Sequence, residues 1–439
     1  MQTSNLTNES VSKLFNRYLV PSICGTLVTS IYVLADSIII GKGIGTEALA
    51  ALNIILPLFN IFFGNGLLFG VGGSVLMSIE RGAGNHENGE RYYSVALLLN
   101  AIMCVIYTAL MLAFMTPMVT FLGATDVTMP YIKEYAPYVI MGMSCFSFSS
   151  FLQTFIRNDG APKLAMVAVV TGGVLNIILD IIFVYPMQMG MKGAAIASVI
   201  GAISTIVILL THFVSKKNGL HINLKGFSFK YVVNIIKNGF TSFFVEIASG
   251  VVMFIFNIQI LKYIGDIGIG LYSVITNTVL MIGCLCNGIN QAAQPIISVN
   301  YGAQLVERVS EVRRKGIKTA VWICSVIGLV ALVMPDLLTY IFIHPTEEIL
   351  ALSKVAIRTY FIGVFVMGVN MFIISYFQST LKPMYSIILC IARGCGLSVL
   401  FVYVLPLVLG DIGIWLAVPL AEITSLALGM FYLKKEKQQ

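Results

Sequence analysis

LFNRYLVPSICGTLVTSIYVLADSIIIGK, residues Leu14 to Lys42, is a mostly apolar run with one proline near its start, Pro21, and one carboxylate near its end, Asp36. The 24 residues between Arg17 and Lys42 are enough helix, at about 1.5 Å per residue, to cross a hydrocarbon core about 30 Å thick. The stretch reads as a membrane span with an acid inside it. An ionisable group there costs about 2.5–3.5 kcal/mol on insertion scales, so Asp36 needs a partner or a wet cavity, and its default reading is functional.

The rest of the chain has the same character. Of its 439 residues 58% are hydrophobic and 11% charged, where a soluble domain carries about 25% charged residues. Twelve charge-poor stretches reach spanning length: 15–40, 50–78, 94–116, 133–155, 164–185, 193–214, 238–261, 269–298, 319–343, 359–381, 384–409 and 412–433. The expected fold is an all-α membrane protein of twelve transmembrane helices. The net charge of +7 does not point to nucleic acid, because the basic residues are scattered between apolar runs instead of gathered on one face. All eight cysteines fall within spans with no zinc-type spacing, so neither a disulfide framework nor a metal site is expected. His86, His212, His221 and His344 lie in loops or at span ends and form no ligand set.

Charge also gives an orientation. With the N-terminus inside, twenty Lys and Arg residues fall on inner segments and six on outer ones, with Arg393 alone inside a span. That bias places both termini in the cytoplasm of a multi-pass plasma-membrane protein. Met1 to Ser12 is polar, so no cleavable signal peptide is expected and the first span inserts itself. The glycosylation-type triplets at Asn5 and Asn8 then face the cytoplasm and are chance matches.

The longest polar stretch, 215–237, divides the chain into a first lobe, 1–214, and a second, 238–439. A shift of 220 residues sets Gly45 on Gly265, Ser78 on Ser298, Gly82 on Gly302, Pro186 on Pro406, Gly190 on Gly410 and Ala197 on Ala417. Six spans per repeat is an even number, so the repeats run parallel, related by an axis along the membrane normal. Two six-helix lobes around a central cavity are expected.

The repeat serves as an internal control, since residues that serve only the scaffold should match across it. The acids do not: Asp36 falls opposite Phe256, Asp180 opposite Leu400, Asn176 opposite Gly396 and Ser198 opposite Val418. Asn176 and Asp180, four apart, share one face of the fifth span. Gly172 and Gly173 one turn earlier, and the stripe Gly190, Ala194, Ala197 and Gly201 on the sixth span, permit close helix approach beside Ser198. Asp36 lies six residues before the outer Lys42, and Asp180 twelve before the outer Lys192. Both acids therefore belong to the outer half of the bilayer. Two carboxylates in one poorly solvated pocket cannot both ionise cheaply, which makes a proton site. The same oxygens, with those of Asn176 and Ser198, could instead hold a dehydrated sodium ion, and the acids could alternatively only tie helices together.

Three further features stand out. Glu246, in the inner half of the seventh span, is either a second coupling acid, a substrate contact or an interhelical tether. Arg393 and Glu422 are expected to pair with one another. Pro21 removes a backbone donor from the first helix and is a candidate hinge fifteen residues from Asp36.

Several stretches together resemble the multidrug and toxic compound extrusion (MATE) transporters, over essentially the whole chain. They are ADSIIIGKGIGTEALAALNIILP (Ala35 to Pro57), ERGAGN (Glu80 to Asn85), YGAQ (Tyr301 to Gln304), IRNDGAPK (Ile156 to Lys163), NIILDIIF (Asn176 to Phe183) and GMKGAAIAS (Gly190 to Ser198). The resemblance implies a bacterial multidrug efflux protein exporting organic cations and other amphipathic drugs, driven by inward protons or sodium. It implies a first-lobe cation site at Asp36, Asn176, Asp180 and Ser198, and a glutamate at Glu246. A tenth-span acid that some members use is missing between Thr359 and Leu381.

The expected protein is thus a monomeric secondary antiporter acting on small drug-like molecules in the lipid bilayer, with a proton or sodium as coupling ion and no other cofactor. An exporter of lipid-linked saccharides should carry cavity arginines or lysines for phosphate, and only Arg393 lies within a span. An enzyme should cluster histidines or carboxylates at one membrane face, and none do.

Overall fold

The computed structural model describes residues 6–342 and 345–438; Asn5 and His344, named above, lie outside them. Among the described residues, twelve helices are long and apolar enough to cross a membrane. They are α1 (Val11–Gly43), α2 (Thr46–Gly82), α3 (His86–Ala113), α4 (Met129–Asn158), α5 (Pro162–Val184), α6 (Gly190–Val214), α7 (Phe229–Tyr263), α8 (Asp266–Gly302), α9 (Val306–Val333), α10 (Glu347–Ser379), α11 (Pro383–Leu409) and α12 (Asp411–Glu436). The all-α, twelve-span expectation holds. Most helices outrun their apolar stretches, because the polar first and last turns are helical too. α2 and α8, 37 residues each, are about 55 Å long, well beyond a core of about 30 Å.

Three spans depart from the sequence expectation for local reasons. α7 starts at Phe229 instead of 238, since KYVVNIIK carries the helix through the polar turn before the apolar run. α9 stops at Val333 instead of 343: Pro335, which has no N–H to give the preceding turn, opens a separate short helix, Pro335–Phe342. α11 contains a π-helical turn, Ala392–Gly396, of the kind that recurs at functional sites.

The repeat is visible in the backbone. The short helix after α3, Met115–Phe121, recurs after α9. Left-handed residues come in pairs 220 apart: Gly45 with Gly265, Gly84 with Gln304 and Gly190 with Gly410.

Contacts divide the chain into two compact units. The first holds Met1–Ile247 and Ser298–Val306, the second Ala248–Ile297 and Glu307–Gln439. Within the first, α2 packs on α3 and α4, α5 on α1 and α6, and α6 on α4. One apolar cluster includes Ile40, Ile55, Phe62, Tyr135 and Val184, and another Phe69, Tyr93, Phe151 and Phe155. Unsupported buried amides are costly, and here they form a network: Asn65 Nδ2 donates to Asn100 Oδ1 (3.0 Å) and Ser147 Oγ (3.1 Å).

The start of α7, up to Ile247, and the end of α8, from Ser298, belong to the first unit, and backbones meet there at glycine. A Cβ on Gly82 would lie 2.1 Å from the Val299 carbonyl oxygen, and one on Gly302 would lie 2.0 Å from that of Ile79. The crossing is reciprocal, each glycine facing the repeat-mate of its partner's neighbour. Gly239 of α7 meets α2 in the same way, since a Cβ there would lie 1.8 Å from the Leu68 oxygen. The polar segment before α7 is held too. Asp159, 3% exposed, takes Arg81 Nη1 at 2.6 Å and the Gly219 amide at 2.9 Å, with His212 Nε2 2.7 Å away.

The second unit has its own core, including Phe256, Ile282, Phe361, Val402 and Trp415. The expected Arg393–Glu422 pair is formed, at 2.8 Å, and Asn370 Nδ2 adds a hydrogen bond of 2.7 Å to the same carboxylate. All eight cysteines are free thiols.

Candidate functional site

The site starts from two glycines on α5. A Cβ on Gly172 would fall 2.0 Å from Thr205 Oγ1 of α6, and one on Gly201 of α6 would fall 2.9 Å from the Asn176 Cβ. α5 and α6 are therefore in near backbone contact, as the small-residue stripe predicts. On the other side, a Cβ on Gly173 would lie 3.2–3.3 Å from Tyr32 and Val28 of α1, and one on Gly43 would lie 2.5 Å from Val184. α5 is clasped between α1 and α6 along its length.

One turn beyond the glycines, this clasp sets the polar residues together. Asn176 Nδ2 donates to Ser198 Oγ across 3.3 Å. Asp180 on the next turn lies in the same neighbourhood as Asp36 of α1, so that the charge of each carboxyl acts on the other. Asp180 is fully buried, Asn176 is 4% exposed and Asp36 is half-buried. Both oxygens of Asp180, Oδ1 of Asp36 and Oδ1 of Asn176 are sealed from solvent and accept no hydrogen bond of ordinary geometry from the protein. Four oxygens from three side chains, two of them acids, are thus collected where each would cost free energy if left uncompensated.

Chemically, such a set favours positive charge. A shared proton would satisfy one acid through the other, and a small hard cation would be met by oxygen ligands alone.

Sequence reasoning missed one member. Tyr135 of α4, 5% exposed, lies within electrostatic reach of both acids and in the neighbourhood of Ser198. Its segment, YIKEYAPY, reads as an interfacial aromatic belt; the one signal available was its spacing from Tyr131 and Tyr138, four and three residues, which puts all three on one face.

The remaining candidates lie apart from this cluster. Glu246 of α7 is half-buried, with its Cβ 3.4 Å from where a Cβ on Gly64 of α2 would be. Pro21 is buried within α1, which stays helical through it. In the second unit the repeat-mate of Asp36, Phe256, is fully buried and stacked on Tyr272, with centroids 5.6 Å apart. An apolar plug occupies the place where the first unit keeps an acid.

Comparison with known proteins agrees with the repeat. A family model described as MatE matches residues 21–182 and again 242–404. The multidrug export protein MepA of Staphylococcus saprophyticus is 25% identical over 397 residues, 90% of this chain and 87% of its own. That of Staphylococcus haemolyticus is 22% identical over 424 residues, 96% and 93% of the two chains. Among solved structures, the outward-facing conformation of a multidrug resistance MATE family transporter superposes with a TM-score of 0.91 at 24% identity, covering 100% of this chain and 99% of that one. A MATE structure in a bent conformation also gives 0.91 at 24% identity over 99% and 97% of the chains, and one in a straight conformation 0.91 at 24% over 100% of both. With the family model matching once in each half of a twelve-helix chain, this protein belongs to the MATE family of multi-pass membrane transporters.

Proposed function

We propose that the chain is a secondary active antiporter that exports drug-like organic cations or amphipathic compounds in exchange for protons or sodium, from a cell membrane with both chain ends on the cytoplasmic side. The observation that carries this reading is the Asp36–Asp180 pair, in which both Asp180 oxygens and Oδ1 of Asp36 are sealed and accept no hydrogen bond of ordinary geometry from the described residues. A cation taken up there neutralises the pocket, and a cationic substrate competes for the same negative charge. Exchange follows if the loaded and unloaded forms favour different conformations. The relatives named as multidrug export proteins support the substrate class. Structures of a MATE protein named for a bent and a straight conformation support more than one shape for this fold, and Pro21, whose missing N–H weakens α1 three turns inside its start, is the hinge proposed for this chain.

Membrane potential helps only where net charge moves, at about 2.3 kcal/mol per charge per 100 mV. One proton exchanged for one monovalent drug cation moves none. Export of lipid-linked saccharides gains no support from Arg393, whose guanidinium is bound to Glu422.

Reconstituted proteoliposomes loaded with a fluorescent organic cation test the reading. An imposed proton gradient and an imposed sodium gradient are applied separately, and at least one should drive efflux well above the leak of empty liposomes. Efflux under neither gradient would refute antiport.

A further inference from the structure

The IRNDGAPK stretch contributes a side chain that transport through Asp36 and Asp180 does not use. Arg157, in the last turn of α4, is only 6% exposed. Among the described residues it makes no ion pair and no side-chain hydrogen bond, and the one ionisable group acting on it is the phenol of Tyr18 on α1. The carboxylates nearest this end of the molecule are already engaged. Glu9 holds Arg17 at 2.9 Å and Lys13 at 3.3 Å, and Asp159 holds Arg81 at 2.6 Å beside His212 at 2.7 Å. One buried positive charge is left over.

Leaving a buried charge uncompensated is among the costlier arrangements a protein can hold. Packing does not require it. The repeat-mate of Arg157 is Phe377, fully buried in the second unit, so the same position of the same scaffold is served by an apolar ring. The guanidinium therefore answers to something other than the fold. Tyr18, 1% exposed, adds a hydroxyl donor in its neighbourhood.

We propose that Arg157, with Tyr18, forms a binding site for a phosphate-bearing anion at the end of the molecule read as cytoplasmic. The planar guanidinium matches a phosphate through two parallel N–H donors, which a lysine cannot reproduce. The site lies at the level where α1 enters the bilayer, so the phosphate belongs either to an anionic lipid headgroup or to a soluble phosphate. The anion supplies the counter-charge that no carboxylate provides, and it pins the start of α1, the helix that carries Asp36, to the end of α4.

Thermal unfolding of the purified full chain separates the two sources. Wild type is compared in nanodiscs of phosphatidylglycerol and of phosphatidylcholine, and in neutral detergent with 10 mM inorganic phosphate or chloride at equal ionic strength. Ligand at about ten times its dissociation constant should raise the midpoint by about 2 °C or more. A rise in phosphatidylglycerol alone identifies the lipid, and a rise with inorganic phosphate identifies the soluble anion. Arg157→Met should abolish either rise while unfolding no earlier than wild type in phosphate-free detergent, because a buried charge has been removed. Arg157→Lys, which keeps charge but not the fork, should retain less than half the rise and covers the case in which the methionine variant fails to fold. No rise for wild type under any condition, or an equal rise in the variants, overturns the proposal.

Discussion

Asp36→Asn is expected to reduce gradient-driven export in everted vesicles to no more than about a tenth of wild type, within the 5–150-fold range typical of coupling between two ligands. The amide keeps the size and hydrogen-bonding capacity of the carboxyl but can never be charged. Asp180 then keeps its buried place between α1 and α6 without an acid opposite, and the pair can no longer alternate between an anionic and a neutralised state. Asp180→Asn should behave alike, and the double variant should be no worse than either single one, because residues that act as one unit are not additive. The variants should remain folded, since an amide costs less to bury than the carboxylate it replaces. Wild-type export by Asp36→Asn would remove the acid from the mechanism.

The second large effect falls on stability. Gly82→Ala should lower the thermal stability of the detergent-purified protein by about 1–3 kcal/mol or more, the scale of overpacking in a close-packed contact. Its Cβ would sit 2.1 Å from the Val299 oxygen, a rigid backbone atom that cannot turn aside as a flexible side chain would. The two backbones must part by about 1 Å, and the hydrogen bonds and contacts on both sides of the crossing stretch with them. Gly302→Ala should cost a similar amount, as its Cβ would be 2.0 Å from the Ile79 oxygen. The double variant should cost less than the sum, because the separation forced by the first methyl makes room for the second. An unchanged unfolding midpoint for either single alanine would show that the helices do not cross this tightly.

How much of this was legible in the chain depends on range. Apolar length alone located all twelve helices, since a lipid-facing backbone must close its own hydrogen bonds. It misjudged ends where helix continues in polar sequence, as at Phe229, or where one proline cuts an apolar run, as at Pro335. The Asp36–Asp180 meeting was inferable because three local patterns agreed: matched depth, the four-residue spacing of Asn176 and Asp180, and small residues that let α5 and α6 close up. The Arg393–Glu422 pair followed from two opposite charges in adjacent spans. Tyr135 stayed hidden because a tyrosine in a span is as often an interfacial anchor as a ligand, and only the tertiary path of α4 turns it to Ser198. The π-turn at Ala392–Gly396 and the engagement of Asp159 by Arg81, His212 and Gly219 have no local signature. The Asp159 contacts join residues 53 to 78 apart in sequence.

Direct competition at the acid pair tests the central claim most closely. Purified protein in weakly buffered solution is saturated with an organic cation, and released protons and sodium are counted per drug molecule bound. Wild type should release about one cation, proton or sodium, per drug bound, and the Asp36→Asn, Asp180→Asn double variant should still bind the drug but release none. Equal release from the double variant and the wild type would contradict the account.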